Sequence, residues 1–184
     1  MAAGDTGAIE AFYARWFPQF ARLATRLTGN GPDGEDVAQD AVVRAVTKAG
    51  TFRPGESARS WLLAIVRNAV SDLARRNAVR KAVSVSEPDD GRMAVQVPDR
   101  APTASERAEA RERAAAVHNA LNALTDDERA VILLRDYEGL SAPDAARVLG
   151  ISVEKVGSRL FRARKRLGAL LQTEWPGLFP PGDL

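Results

Sequence analysis

The 184-residue chain has no cysteine and a single histidine. The first absence excludes disulfides, thiolate nucleophiles and cysteine-ligated zinc, and it suits a reducing cytoplasm. The second leaves only His118 for acid–base or metal work, and His118 falls inside an expected helix between Val117 and Asn119, where a surface or packing role suits it better than ligation. A phosphate-binding glycine loop is missing too, so a small enzyme is a poor fit and no cofactor is expected. No stretch approaches the roughly 18 consecutive apolar residues of a membrane span. The N-terminus also lacks the basic-then-apolar pattern of a secretory signal. A soluble, cytoplasmic protein without membrane insertion is the expectation. There is little excess charge: 26 Lys and Arg against 24 Asp and Glu leave +2. Any case for nucleic acid must therefore come from where the charges lie. Two-residue apolar alternation is absent outside a short piece at 83–85, which makes the fold class all-α.

With 45% hydrophobic residues the chain can form compact cores, and its length permits two small helical domains. The clearest signals lie in residues 125–167. Thr125, with Glu128 three residues on, forms a capping box that starts a helix carrying Ala130, Val131, Leu134 and Tyr137 and ending at Gly139. Ser141 caps a short helix over 142–149, in which Pro143 is tolerated because first-turn N–H groups lack intrahelical partners. After Gly150, Ser152 caps a last helix from Val153 to about Leu171. There Val156, Leu160, Ala163 and Leu167 make a seam to bury. Lys155, Arg159, Arg162 and Arg166 repeat that spacing one position earlier, a cationic stripe about 100° round the helix. A short helix, a glycine turn and a basic second helix is the helix-turn-helix pattern that enters the DNA major groove. On these residues alone, a solvated basic face or a stand-alone duplex-binding regulator stays open.

Upstream, Ile9, Phe12, Tyr13, Trp16, Phe20, Leu23 and Leu27 predict a long amphipathic helix over 6–27, interrupted at Pro18. Residues 29–32 end it. A second helix, from Asp33 or Asp36 to Lys48, has Val37, Ala41, Val42, Ala45 and Val46 inward and Asp36, Gln39, Asp40 and Arg44 on its polar face. A loop with Phe52 and Arg53 comes next, then a helix capped by Ser57 or Ser60 that buries Leu62, Ile65, Val66 and Leu73 and carries Arg59, Arg67, Arg75 and Arg76. An aromatic-bearing loop beside cations can stack an unpaired base and neutralise phosphate. For Trp61, core packing fits at least as well as direct contact. Residues 83–105 are polar and proline-broken, too poor in apolar residues to fold alone, and read as a flexible linker. Their acids Glu87, Asp89, Asp90 and Asp99 are consistent with simple solvation. Helix returns over 104–124, and the tail from Trp175 is too rich in proline and glycine for a long helix. The division is thus 1–82, a linker at 83–105, 106–174 and a tail at 175–184.

Two sets of residues together resemble the extracytoplasmic-function (ECF) group of bacterial sigma factors. Leu124-Thr-Asp-Asp-Glu-Arg-Ala-Val-Ile-Leu-Leu-Arg-Asp-Tyr-Glu-Gly-Leu-Ser141, with Ala145-Ala-Arg-Val-Leu-Gly-Ile-Ser-Val-Glu-Lys-Val156 and Ser158-Arg-Leu-Phe-Arg-Ala-Arg-Lys165, is similar to sigma region 4. Asp36-Val-Ala-Gln-Asp40, Ser60-Trp-Leu-Leu-Ala-Ile-Val-Arg-Asn68 and Asp72-Leu-Ala-Arg-Arg76 are similar to region 2. The resemblance implies a non-catalytic initiation subunit that binds core RNA polymerase at its clamp helices and flap, acts at the nucleoid, and is held by an anti-sigma factor. It implies that Asp36, Gln39, Asp40 and Arg44 meet the clamp helices, and that Phe52, Arg53, Arg59, Trp61, Arg67 and Asn68 hold melted −10 DNA. Lys155, Ser158, Arg159, Phe161 and Arg162 would then read the −35 duplex, while Arg164, Lys165 and Arg166 hold its phosphates. The acidic linker would thread the polymerase cleft and RNA exit channel. Two departures stand out: Gly157, where a basic or polar DNA contact is usual, and Ala142-Pro143, in place of a bulkier polar helix opening.

Overall fold

A computed structural model describes residues 6–53, 55–81 and 104–180. They form seven α-helices, with no strand among the described residues: α1 Thr6–Thr28, α2 Gly31–Thr47, α3 Ala58–Lys81, α4 Ala104–Asn122, α5 Asp126–Ile132, α6 Ala142–Leu149 and α7 Val153–Glu174. Of the expected linker, only residues 104 and 105 are described, as the start of α4; the acidic residues and the short alternation at 83–85 lie outside.

Pro18 does not end α1, which runs through it. The proline removes one backbone hydrogen bond, but aromatic contacts span the gap. The Phe12 and Phe20 rings meet edge-on at 6.4 Å, and Tyr13 stacks on Phe17 at 4.6 Å. Each buried aromatic is worth about 1.5–3 kcal/mol, comparable to the cost of the proline, and Phe20 is fully buried. Residues 29–32 also do more than close α1. Asn30 is the N-cap of α2, accepting from the Asp33 N–H at 3.1 Å, so α2 begins two residues earlier than the first expected start. Gly34 sits where α2 crosses α1, and a Cβ there would lie 2.5 Å from the Cα of Thr25. That close crossing sets the angle at which α2 presents its polar face.

Ser57, not Ser60, caps α3: its hydroxyl accepts from the Ser60 N–H at 3.3 Å, while Ser60 itself is buried. In the second half the capping box at Thr125 forms as expected, and α6 and α7 start at Ser141 and Ser152. Gly150 takes the left-handed conformation, φ 66°, that closes α6. The α-helix that starts at Thr125 does not run unbroken to Gly139, however. Leu133–Tyr137 winds as a π-turn, which carries Leu133 and Leu134 into the core and turns Tyr137 outward. The tail docks: Trp175, Leu178 and Phe179 pack on a small cluster of Ala116, Ala120 and Leu171.

The two halves are not separate cores. One continuous buried cluster includes Phe20, Leu23, Leu63 and Val66 from the first half and Val131, Leu133, Leu134 and Val156 from the second, with α6 packed on α3. His118 lies at this seam. Its Nε2 stands 3.1 Å from the side-chain amide of Asn122. Burial, with Arg129 and Arg26 nearby, pushes His118 below its ordinary value. A depressed histidine contributes stability that is present above its unfolded value, near pH 6.5, and is lost as pH falls from there through its lowered folded value. Thermal melts from pH 7.5 to 5.5 should show a declining midpoint, and His118→Gln should flatten that decline; an equal slope in the variant would remove His118 as the cause.

Candidate nucleic-acid interface

Helix α7 is held by its apolar seam, since Val156, Leu160 and Ala163 are buried, with Leu167 half-buried. The cationic stripe is not uniformly free. Nη1 of Arg159 pairs with Asp127 at 2.9 Å, and its side chain is mostly covered. Arg166 pairs with Glu128 at 3.2 Å, and Arg164 donates from Nε to Asp136 at 3.0 Å and pairs with it through Nη2 at 2.5 Å. These acids belong to the first turn of α5 and to the π-turn, so the helix is tied to its own domain by the residues that were expected to touch DNA. The Thr125 hydroxyl, donating at 2.7 Å, holds the Glu128 carboxyl below its ordinary value, with Arg166 adding to the effect.

What faces outward is a narrower row. Lys155, Ser158, Phe161, Arg162 and Lys165 are exposed, Phe161 at 71%. Nε of Arg162 donates to the Ser158 carbonyl at 3.4 Å. An exposed phenylalanine within a cationic row is a poor surface for water and a good one for a base methyl. Gly157 has open space where a side chain would go. Gly157→Ala should therefore stabilise the chain by up to about 1 kcal/mol through helix propensity, and Gly157→Lys should raise duplex affinity as well. Denaturant midpoints and DNA titrations check the two effects separately.

In the first half, Phe52 is half-buried and meets Trp61 edge-on at 5.7 Å, while Arg53 and Asn68 are exposed and Arg67 is half-buried. Trp61 is partly buried against the core, so a packing role is observed for it. Arg59 is engaged elsewhere, with Glu138 of the second half at 2.6 Å. On α2, Asp36 and Gln39 are exposed. Arg44 is a strut instead: it donates to Asp40 at 3.0 Å and to Asp72 of α3 at 2.5 Å. The Arg44 hydrogen bond holds Asp72 below the usual carboxylate range, and Asp72 raises Arg44 in turn. Asp72 and Glu138 were invisible as partners in the sequence, because nothing local marks a carboxylate as the mate of an arginine 28 or 79 residues away.

Sequence comparison matches a family profile described as Sigma-70 region 2 over residues 12–80 and one described as Sigma-70, region 4 over 114–167. Among curated relatives, the ECF RNA polymerase sigma factor SigM of Mycobacterium tuberculosis is 36% identical over 169 residues, covering 92% of this chain and 80% of that protein. The RNA polymerase sigma factor CnrH of Cupriavidus metallidurans is 34% identical over 94% of this chain and 91% of its own. Among solved structures, the sigma factor RpoE of Bartonella quintana in complex with the anti-sigma factor NepR superposes with a TM-score of 0.71 at 26% identity, covering 92% of this chain and 99% of that one. CnrH in complex with the cytosolic domain of CnrY gives 0.64 at 32% identity, covering 93% and 92%. No helix among the described residues is long and apolar enough to cross a membrane. An all-α chain carrying both regions in order, over a third identical to a curated member across most of both lengths, belongs to the ECF family of RNA polymerase sigma factors.

Proposed function

We propose that this chain binds core RNA polymerase, reads a −35 element as duplex through α7, and captures melted −10 DNA with residues 52–68, having no active site of its own. The observation that carries the reading is the outward row on α7. Lys155, Arg162 and Lys165 present free cationic ends beside the exposed Phe161, after a capped α6 and a glycine turn, so the helix can lie in a major groove without uncovering its apolar seam. Arg162 suits a guanine edge, and Phe161 a thymine methyl. Arg159, Arg164 and Arg166 serve the same surface from beneath it, holding α7 and lending charge to phosphates. The exposed α2 face, Asp36 and Gln39 above all, is the polymerase contact, with Asp40 and Arg44 bracing it. An anti-sigma partner is proposed by extension from the solved complexes of RpoE and CnrH.

A charge reversal separates the two activities. Asp36→Lys should weaken binding to core polymerase while leaving −35 duplex binding unchanged, because Asp36 is exposed and lies on the half that does not contain α7. Asp40 is a worse choice, since its loss also frees Arg44. Equal loss of both activities in Asp36→Lys, or no loss of core binding, would count against the assignment of this face.

A further inference from the structure

Large hydrophobic side chains that stand in water are few among the described residues, and two of them lie on α7: Val153, 42% exposed, and Phe161, 71% exposed. They are eight residues apart with Gly157 halfway between, so the three occupy i, i+4 and i+8 on one strip of the helix, about 12 Å long. Gly157 leaves a gap in that strip. A carbon built at its Cβ position would meet no side chain within 4 Å, that of Phe161 included. Side chains on a helix lean toward their own N-terminal turn, so the Phe161 ring leans toward the gap. The donors keep to the other side, with Lys155, Ser158 and Arg162 about 100–160° round the helix from Gly157. Glu154, exposed beside Val153, offers only acceptors, which oppose the acceptors on a guanine edge and suit the amino group of adenine.

An apolar strip with a gap, running beside a row of donors, has the chemistry to read methyl groups. Thymine alone among the bases carries one on its major-groove edge. Resting on the proposed placement of α7 in a major groove, we infer that Val153, Gly157 and Phe161 form a slot for the C5-methyl groups of two neighbouring thymines. One methyl lies against the Phe161 ring, and the other enters the gap at Gly157, with Val153 as its far wall. The spacing agrees: successive positions on the strip are about 6 Å apart and stacked base pairs about 3.4 Å, so both contacts fall within two base-pair steps. Gly157 and Val153 thereby determine specificity. The missing side chain at 157 exchanges a polar contact for an apolar one and lets the helix backbone come close to the base edges.

The size of the effect follows from the size of a methyl group. Burying one is worth about three- to fivefold in affinity, and two that act independently about ten- to twentyfold.

The probe is a set of fluorescein-labelled promoter duplexes selected from a random pool by the chain assembled on core RNA polymerase. Their −35 part should contain two neighbouring thymines. Exchanging one for deoxyuridine, which deletes the methyl and nothing else, should weaken binding about three- to fivefold, and exchanging both about ten- to twentyfold. Phe161→Ala should make both exchanges nearly silent. Gly157→Lys, whose side chain fills the gap, should bind more tightly overall yet keep the penalty at only one of the two thymines. Selected sequences without such a pair, or penalties that survive undiminished in both variants, overturn the slot. If the exchanges leave affinity unchanged while Arg162→Ala still weakens it, the slot is wrong and the reading of a duplex by α7 stands. If neither the exchanges nor Arg162→Ala has an effect, α7 does not read the duplex at all.

Discussion

Replacing Arg129 with methionine is expected to destabilise the chain by about 3 kcal/mol. Arg129 is only 7% exposed, and its guanidinium donates to four carbonyls: Leu121 at 3.1 Å, Leu27 at 2.8 Å, and Asn122 and Leu124 at 3.3 Å each. Those of Leu121 and Asn122 close α4, and that of Leu27 lies in the last turn of α1, so one cation sits at the negative ends of two helix dipoles. Terminal carbonyls have no intrahelical donor, and burying them unpaired is expensive. The nearest carboxylate, Asp126, is 3.6 Å away and well exposed, which makes the carbonyl cage the main compensation for the buried charge. Burial pushes the guanidinium below its ordinary value, yet arginine stays charged at neutral pH. Methionine fills similar volume without donors, so the variant isolates the hydrogen bonds from packing. Lysine, a point charge without the fork, should recover only part of the loss. Urea unfolding decides the matter: a Met variant within about 0.5 kcal/mol of the parent would mean that the cage contributes nothing net.

Arg162→Ala should weaken −35 duplex binding by about 1–3 kcal/mol, roughly five- to 150-fold, and relax preference at one base pair. The ordering among the arginines of α7 matters more than the absolute figure. Arg162 is exposed and makes no ion pair within 4 Å among the described residues, its charge reaching Glu128 only at longer range, whereas Arg164 is fastened to Asp136 and Arg159 to Asp127. Arg164→Ala should therefore cost less affinity and act alike on all duplex sequences, as a phosphate contact does. Fluorescence anisotropy titrations on the parent site and single-base variants of it would show this. Equal losses for Arg162→Ala and Arg164→Ala, with equal sequence dependence, would mean that the outward row is not the reading surface.

Local rules carried much of this architecture. Thr125, Ser141 and Ser152 mark their helix starts because a capping side chain reaches only two or three residues along its own chain. The buried seam Val156, Leu160 and Ala163 comes from helical period alone. Long-range pairing was illegible for the corresponding reason. Pro18 reads as a break until Phe12 and Phe20 are seen to meet across it. The π-turn at Leu133–Tyr137 has no signature within its own run of residues; it is visible only as the winding that buries Leu133 and Leu134. Arg129 lies in a stretch where it looks like one more surface arginine, and only the docking of α1 against α5 turns it inward. The candidate DNA surface was legible as a set of residue types but not as a set of free side chains. Asp127, Glu128 and Asp136 decide which arginines are available, and they come from elements earlier in the chain.

The central claim is most directly tested by run-off transcription with purified core RNA polymerase on templates carrying candidate two-part promoters. With the full chain added, a discrete transcript should start at a fixed distance from the −10 element, should be absent with core alone, and should fall with Arg162→Ala. Failure of every template to support a discrete start, together with no detectable binding of the chain to core polymerase, would contradict the account.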